Sequence, residues 1–317
     1  MTQYIIRRLL QAIPVVLIVS FLIFVLINMA PGDPLAKLQS PGISKEDIQH
    51  RYEELGLDDP LLVRYGRWLG NFVQGDLGYS MDSSNKPVAE MIGERIVPTL
   101  YLTVGSLLLS IVIAIPVGII SATRQYSIFD YVATIGAFVG VSVPNFFFGL
   151  LLLFVFSLKF PIFPSGGFGN AVGVNNVWTH LHHAILPILT LGLARVASMT
   201  RYMRSSMLEV IKEDYIRTAR AKGLSERMVI YKHAFRNALI PVVTLIGLSI
   251  PMIFSGAVIT EQVFSWPGMG KLLISSVFKR NYTVMMGIDV IMCILVYAGN
   301  FAADIVYVIV DPRIRYD

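Results

Sequence analysis

The chain has 317 residues, of which 55% are hydrophobic and only 15% charged, and its mean hydropathy is +0.64. An ordinary soluble domain carries about 25% charged residues, so this composition excludes one and indicates a polytopic membrane protein. The formal net charge is +5, but the basic residues are spread over short loops between apolar runs, which argues against a nucleic-acid-binding protein.

Six apolar runs are long enough to cross about 30 Å of hydrocarbon, which predicts an all-α protein with six transmembrane helices. The first run follows Arg7 and Arg8 but is too long for the core of a secretory signal peptide, so we interpret it as a membrane span. The six runs cover residues 9–30, 98–122, 131–158, 184–203, 238–260 and 283–309.

The distribution of Lys and Arg predicts the orientation of these spans. With the N-terminus in the cytoplasm, the inner segments carry fourteen Lys and Arg residues and the two short outer loops carry four. Basic residues are enriched in cytoplasmic loops, so both termini are predicted to be cytoplasmic. The chain then divides into a cytoplasmic N-terminus with the first helix (1–30), an extracytoplasmic loop subdomain (31–97) and a five-helix core (98–317) that contains a cytoplasmic loop (205–237).

The first outer segment, 31–97, is long and is predicted to be folded. Ser44 followed by Asp47 is typical of a helix start, and Gly56 is typical of a helix end. Further on, apolar residues recur at helical spacing and predict an amphipathic helix that lies on the membrane surface or packs over the helix ends. These residues are Leu61, Leu62, Tyr65, Trp68, Leu69 and Phe72.

Four prolines lie in or at the ends of the predicted spans, at positions 116, 144, 241 and 251. Each removes a backbone donor and can kink its helix, as a moving pathway requires, although prolines without such a role are also common in membrane helices. Among them, Pro144 and Pro251 are candidates for a pathway or gate.

Three charged residues lie well inside the predicted spans, where charge is costly and needs a partner or a wet cavity. Asp289 lies near the outer end of the sixth span. Arg195 and Asp304 both lie in the cytoplasmic halves of their spans, where they would pair or face a cavity. All three are candidate pathway or gating residues.

The sequence contains no catalytic constellation, and no metal or cofactor site is predicted in this chain. The histidines at positions 180, 182 and 183 precede the fourth span without thiols or suitably spaced carboxylates, which favours an interfacial loop over a metal site. Cys293, the single cysteine, allows no intrachain disulfide. The glycine-rich stretch at 165–173 lacks the Lys-Ser/Thr of a phosphate-binding loop, so no nucleotide site is predicted.

The most informative stretch is the charged segment 213–241, which lies between two apolar spans. Good helix formers over 209–221 predict one helix, Gly223 is expected to end it in a left-handed conformation, and Ser225 is expected to cap a second. One side of this segment is apolar and would need a partner to bury it. That side consists of Tyr215, Ile216, Ala219 and Leu224.

The run RTARAKGLSER followed by HAFRNALIP resembles the permease subunits of ABC importers, in particular the oligopeptide/dipeptide/nickel transport family. Of that family's general Glu-Ala-Ala, three residues, Gly signature, only Ala219 and Gly223 match, but the run is close to the form typical of the peptide subfamily. The long first outer loop resembles that of the B-type subunit. Further family landmarks are YIIRRL (from Tyr4), PGDP (from Pro31), GDLGYS (from Gly75), VFSWPGMG (from Val263) and DPRIRY (from Asp311).

The resemblance implies a type I ABC importer permease fold and a non-catalytic subunit of a bacterial or archaeal cytoplasmic membrane. Its partners would be a C-type permease, two cytoplasmic ATPase subunits and an extracytoplasmic substrate-binding protein. ATP and Mg²⁺ would bind to the ATPase partners and not to this chain. The contact with the ATPase is carried over onto Tyr215, Arg217, Thr218, Ala219, Lys222, Gly223 and Leu224.

Three readings of the function follow from these observations. The resemblance implies import of oligopeptides or dipeptides by alternating access, with nickel or another small solute as the alternative cargo. The embedded acids alone would suit an ion-gradient-driven secondary transporter. The docking loop alone would suit a membrane receptor or an assembly scaffold.

Overall fold

The computed structural model describes residues 2–29, 52, 58–82, 85–169, 177–254 and 257–310. Within these ranges the chain is helical apart from turns, loops and one isolated antiparallel bridge, between Tyr79 and Pro87. The π-helical Phe154–Lys159 prolongs α5, and the helical turn Glu226–Met228 with the π-helical Val229–Ala234 leads directly into α8. The helices are α1 (Thr2–Met29), α2 (Leu61–Val73), α3 (Val88–Thr123), α4 (Ile128–Ser142), α5 (Asn145–Leu153), α6 (Val177–Val210), α7 (Asp214–Ala221), α8 (Phe235–Phe254), α9 (Val258–Val263), α10 (Met269–Lys279) and α11 (Tyr282–Val310).

Among the described residues, five helices are long and apolar enough to cross a membrane, and there are up to six spans if the bent pair of α4 and α5 counts as one. The prediction of an all-α, multi-pass membrane protein is confirmed. The predicted third span, 131–158, is wrong as a continuous helix, because α4 and α5 meet at 103°. Val143 and Pro144 are both extended at this break, since a proline disfavours helical backbone at the residue before it.

Several helices extend beyond the predicted spans. Helix α3 begins at Val88, within the segment assigned to the outer loop, and α6 covers 177–210 instead of 184–203. The predicted fifth span, 238–260, is displaced, because the helix already starts at Glu226 and α9 is a separate element. Hydropathy marks only the part of a helix that suits lipid, whereas polar turns continue the same hydrogen-bonded backbone.

Helices α3 and α6 form the centre of the bundle, and their contact surfaces include small hydroxyl side chains. Ser106 and Thr190 have no exposed surface, and each hydroxyl donates to a carbonyl of its own helix, those of Thr103 and Leu186. Small residues let helix backbones approach closely, and the internal hydrogen bonds satisfy the hydroxyls where water is absent.

The predicted amphipathic helix in the outer segment is confirmed as α2, which packs on α1 and α11. Tyr65 and Trp68 join a cluster around Phe24 and Met286, and the Tyr65 hydroxyl lies 2.9 Å from the Ser20 hydroxyl. This helix therefore acts as a packing element over the outer faces of two spans. The predictions for Ser44, Asp47 and Gly56, and the landmarks that start at Pro31 and Asp311, lie outside the described residues.

Candidate functional site

The charged segment forms a short helix, α7, at the end of the bundle where α6 finishes and the next span begins; we call this the α7 end. The predicted single helix over 209–221 is wrong, because α6 continues to Val210 and residues 211–213 turn the chain before α7 starts at Asp214. A second helix does begin after Ser225, but it is continuous with α8 and the Ser225 side chain makes no capping bond. Helix propensity alone did not locate the turn, because tertiary packing overrides it.

Helix α7 ends in a Schellman motif, a two-bond cap that is closed by a residue in left-handed conformation. The Leu224 N–H donates to the Ala219 carbonyl at 3.4 Å, and the Gly223 N–H donates to the Arg220 carbonyl at 2.9 Å. Gly223 has a φ of 78°, which would cost a residue with a Cβ about 1 kcal/mol or more. The predicted left-handed ending at Gly223 is confirmed.

The apolar side of α7 is buried by the chain itself. Ile216 is 0% exposed and Ala219 is 7% exposed, in a cluster with residues of α3, α6 and the segment that leads into α8. Leu224 is half-buried against the same cluster. The expectation that a partner must bury this side is therefore wrong for these three residues, and only Tyr215 remains exposed.

The opposite side of α7 is exposed and polar. Arg217 and Asp214 form an exposed ion pair at 3.2 Å, a type of pair worth less than about 1 kcal/mol. The Thr218 hydroxyl donates to a carbonyl of its own helix, and the Tyr215 hydroxyl accepts a 2.6 Å bond from Asn237. Tyr215, Arg217, Thr218, Lys222 and Gly223 thus form one accessible surface, which we call the docking face.

A bidentate ion pair braces the turn at Gly223. Arg220 Nε and Nη2 donate to the two carboxylate oxygens of Glu226 at 3.1 and 2.7 Å. These bonds raise the pKa of Arg220 above its ordinary value. Arg220 therefore joins α7 to the first turn of the next helix and stiffens the connection.

A buried ion pair at the same end joins three helices that the sequence did not connect. Arg204 of α6 donates from Nε and Nη2 to the carboxylate of Asp130 in α4, at 2.6 and 2.8 Å. The Ser121 hydroxyl of α3 bonds to Asp130 as well, and the Tyr126 N–H donates at 3.0 Å. The available signal was weak: both charges lie just outside the predicted ends of spans three and four, on the same side of the membrane.

The candidate pathway residues do not form one site. Arg195 donates to the Thr103 carbonyl and the Ser106 hydroxyl of α3, at 3.3 and 3.1 Å. Asp304 forms a 2.7 Å ion pair with Arg8 of α1. The predicted pairing of Arg195 with Asp304 is therefore wrong, because each charge finds a partner on a different neighbouring helix.

The remaining pathway candidates lie elsewhere. Asp289 is partly buried on α11 and has no hydrogen bond or ion pair with any described residue. Pro144 lies at the break between α4 and α5. Pro251 lies inside α8, where Gly299 of α11 approaches its backbone closely. Their role in a pathway or gate stays a prediction.

The histidines near the start of α6 do not form a metal site in the described part of the chain, where no cluster of potential ligands is found. His180 bonds to the Phe168 carbonyl, His182 to the Ile162 carbonyl and His183 to the Thr179 carbonyl. The predicted interfacial loop is wrong for these three residues, because they lie in the first two turns of α6 (Val177–Val210).

At the opposite end of the bundle, which we call the α10 end, α9 and α10 fold back against α3. Glu261 is 0% exposed and accepts hydrogen bonds from the Thr99 hydroxyl and the Lys271 N–H, both at 2.9 Å. Trp266 is also fully buried, and its indole N–H donates to the Pro98 carbonyl at 2.9 Å. The landmark VFSWPGMG thus forms a packed turn, held by a buried carboxylate that the sequence analysis did not identify.

Comparison with known proteins gives a family for the whole chain. A profile described as "Binding-protein-dependent transport system inner membrane component" matches residues 114–316. A second, described as "Binding-prot-dependent transport system membrane comp, N-term", matches residues 1–103. Together they include α7, the buried ion pair and the α10 end.

Similar proteins align over their full length. The oligopeptide transport system permease protein AppB of Bacillus subtilis (strain 168) is 48% identical over 316 residues, with 100% of each chain covered. A putative peptide permease protein of Brucella suis biovar 1 (strain 1330) is 43% identical, with 99% of each chain covered. The glutathione transport system permease protein GsiC of Escherichia coli (strain K12) is 40% identical, with 100% of each covered.

The fold is also found in a solved transporter. An inward-facing structure of the MetNI methionine ABC transporter matches with a TM-score of 0.56 and 22% identity, over 70% of this chain and 97% of that one. This likeness confirms the predicted type I permease fold. The chain belongs to the family of binding-protein-dependent transport system inner membrane components, the permease subunits of ABC importers.

Proposed function

We propose that this chain is the B-type permease subunit of an ATP-driven peptide importer and that the docking face of α7 binds a cytoplasmic ATPase. The observation that carries the proposal is the two-sided environment of α7. Its apolar side is fixed in the chain's own core through the fully buried Ile216, while its polar side stays accessible. A helix mounted in this way can transmit a force from a partner to the spans.

The polar side has the chemistry of a docking contact. Tyr215 presents a large amphipathic side chain, of the kind enriched at protein interfaces. Lys222 and Arg217 supply positive charge for an acidic rim on the ATPase, which steers association. Gly223 leaves open space around its Cα, since an added Cβ would meet no atom within 4 Å, so partner backbone can approach there.

The mechanism that follows is alternating access. ATP binding closes the pair of ATPase subunits, α7 moves with the subunit that it contacts, and the attached spans reorient toward the loaded binding protein. ATP and Mg²⁺ act on the partner subunits. A C-type permease and an extracytoplasmic binding protein complete the assembly, with both termini of this chain in the cytoplasm of a bacterial or archaeal cell.

Peptides are the cargo that the relatives favour. AppB is named for oligopeptides, GsiC for glutathione and the Brucella protein for peptides, and all three match end to end. Glutathione is itself a small peptide, so these names share one chemical class. Nickel or another small solute stays the alternative cargo. The dependence of this family on a binding protein, in turn, decides against the ion-gradient-driven reading and the scaffold reading.

The proposal is tested first by purifying the chain from its native membrane in mild detergent and identifying what accompanies it. We expect a second six-span permease, ATPase subunits and, after gentle cross-linking, a solute-binding protein that retains peptide. Recovery of this chain alone after cross-linking would contradict the proposed assembly. A nickel chelate in place of peptide on the binding protein would correct the cargo and leave the assembly intact.

The docking face is tested by reversing its charge. Arg217→Glu with Lys222→Glu should leave membrane insertion intact but reduce recovery of the ATPase and abolish uptake. Gly223→Pro should also abolish uptake without loss of insertion, because proline cannot adopt a φ of 78°. Arg67→Glu, on the exposed side of α2, is the matched control and should transport normally. Normal uptake in both docking-face variants would refute the assignment.

A further inference from the structure

We infer that Asp130 and Arg204 are positioning residues that carry the movement of α7 to the break between α4 and α5. This inference rests on the proposed function, because it presupposes that α7 receives a movement from the ATPase. Neither residue belongs to the docking face or to a family landmark identified above.

The geometry is that of a built junction. The Asp130 side chain is 3% exposed and the Arg204 side chain is 26% exposed. Besides the two bonds from Arg204, the carboxylate accepts bonds from the Ser121 hydroxyl and the Tyr126 N–H, so both of its oxygens are engaged. A guanidinium and a carboxylate paired through two parallel bonds fix distance and orientation together.

Stability alone does not account for this pair. Removing two charges from water is expensive, and apolar side chains of similar volume often stabilise a protein as well as a buried ion pair does. The apolar cluster around Met203 and Met207 already joins α3, α6 and α7 at this end. What the ion pair adds is a directional connection from α6 to α4, which that cluster does not include.

The connection is continuous from the docking face to the break. Ile216 of α7 packs in the same cluster as Met203 and Met207 of α6. Arg204 lies between these two methionines in the sequence of α6. Arg204 holds Asp130 near the start of α4, and Gly140 near the end of α4 lies against Ala197 of α6. Helix α4 ends at Ser142, directly before the break.

A displacement of α7 therefore has a rigid route to the α4–α5 break. The last turns of α6 are fixed to α7 by full burial, and α4 is fixed to α6 at both of its ends. In this part of the chain, a small rotation of α4 would mainly change the 103° angle between α4 and α5. The ion pair keeps α4 in register with α6 while that rotation occurs.

The test uses the complete assembly, co-purified through a tag on this chain and reconstituted in lipid vesicles with its binding protein and a bound peptide. Peptide uptake and ATP hydrolysis are measured on the same vesicles. Asp130→Asn keeps the shape but removes the charge, and Arg204→Lys keeps the charge but removes the two-bond geometry. Asp59→Asn, which breaks the exposed ion pair with Arg67 near α2, is the control.

We expect both junction variants to assemble, to retain ATPase stimulation by the loaded binding protein, and to transport about fivefold less peptide per ATP or worse. The double variant should lose no more than the stronger single variant, because the two side chains act as one unit. The control Asp59→Asn should transport as much peptide per ATP as the unaltered chain.

Two outcomes would overturn the inference. One is an unchanged ratio of peptide to ATP in both variants; the other is a fall in uptake and hydrolysis together, in proportion to the amount of assembled complex. If Asp130→Asn fails to assemble, the ratio of peptide to ATP is measured for Arg204→Lys and Ser121→Ala instead. An unchanged ratio in both of these variants would then overturn the inference. Absence of any ATPase from the unaltered assembly would instead refute the proposed function.

Discussion

The two ends of the bundle each bury a carboxylate, but they hold it in different ways. At the α7 end, Asp130 is paired with the side chain of Arg204 from another helix. At the α10 end, Glu261 has no ion pair with a described residue and is held by the Thr99 hydroxyl and a backbone N–H in the first turn of α10. The positive end of the helix dipole replaces the cation there.

This difference indicates different mechanical roles. Long side chains at the α7 end join separate helices and can follow a movement without releasing the bond. The α10 end relies on backbone and close packing: the Met269 N–H donates to Thr99 at 2.8 Å, and Gly268 leaves no room for a Cβ beside Glu261. A contact of this kind tolerates little displacement. We therefore expect the α10 end to stay in place and the α7 end to move as one joined unit of α4, α6 and α7.

The largest effect is expected from Glu261→Ala. It leaves the Lys271 N–H without its acceptor and opens a cavity, which should cost about 3–5 kcal/mol of stability. Glu261→Gln should cost less, because one side-chain oxygen can still accept from Thr99. Thermal unfolding in detergent measures both, with the exposed Glu94→Ala as control. Equal melting temperatures for Glu261→Ala and the control would contradict a structural role for this carboxylate.

The next effect separates the two sides of α7. Ile216→Ala should destabilise the chain by about 3 kcal/mol, because it removes a fully buried side chain from the α7-end cluster. Tyr215→Ala, at the exposed position next to it, should change the melting temperature little but weaken recovery of the ATPase. Loss of stability in Tyr215→Ala without loss of ATPase binding would reverse the assignment of the two sides.

Smaller losses of stability are expected from substitutions of two glycines, Gly268 and Gly223, and for different reasons. Gly268→Ala would place a Cβ 2.2 Å from Glu261 Oε1 and should cost about 1–3 kcal/mol through overpacking. Gly223→Ala meets no atom within 4 Å, so only its φ of 78° is unfavourable, at about 1 kcal/mol. Asparagine tolerates a left-handed conformation and should restore most of the stability at position 223, but not at 268. Melting temperatures of the four variants decide the matter; equal tolerance of asparagine at both sites would contradict the contrast.

The smallest effect is expected from Trp266→Phe at the α10 end. A smaller aromatic ring stays buried, and the Pro98 carbonyl loses the indole donor; the loss of this hydrogen bond by itself should cost about 1 kcal/mol. Trp178→Phe, at an exposed position near the start of α6, serves as the control for loss of an indole. A shift no larger than that of the control would show that the hydrogen bond contributes little.

Properties that depend on neighbours within one or two helical turns could be predicted from the sequence. The apolar runs predicted the existence of the membrane spans, though not the break at Pro144 or the bounds of the fifth span, and the spacing of apolar residues predicted α2. Gly223 was identified because glycine enters the left-handed conformation more easily than other residues. The resemblance of the charged segment and the landmarks led to the family that the comparisons then confirmed.

Contacts between residues far apart in the chain could not be predicted in this way. Arg195 and Asp304 were expected to pair or to face a cavity, because both lie in the cytoplasmic halves of their predicted spans, yet each bonds to a different helix. The apolar side of α7 was expected to be buried by a partner, because the sequence does not show that other helices of the same chain pack against it. The pairing of Asp130 with Arg204 spans 74 positions and has no local signal.

The sequence by itself determined that this chain is helical, crosses a membrane and presents a charged loop at one end, because these follow from composition, period and run length. The tertiary structure alone decided which face of α7 is available, how sharply the third span bends at Pro144 and which charges pair. Those outcomes depend on how helices far apart in the chain pack together, and packing is set by the shapes of several helices at once.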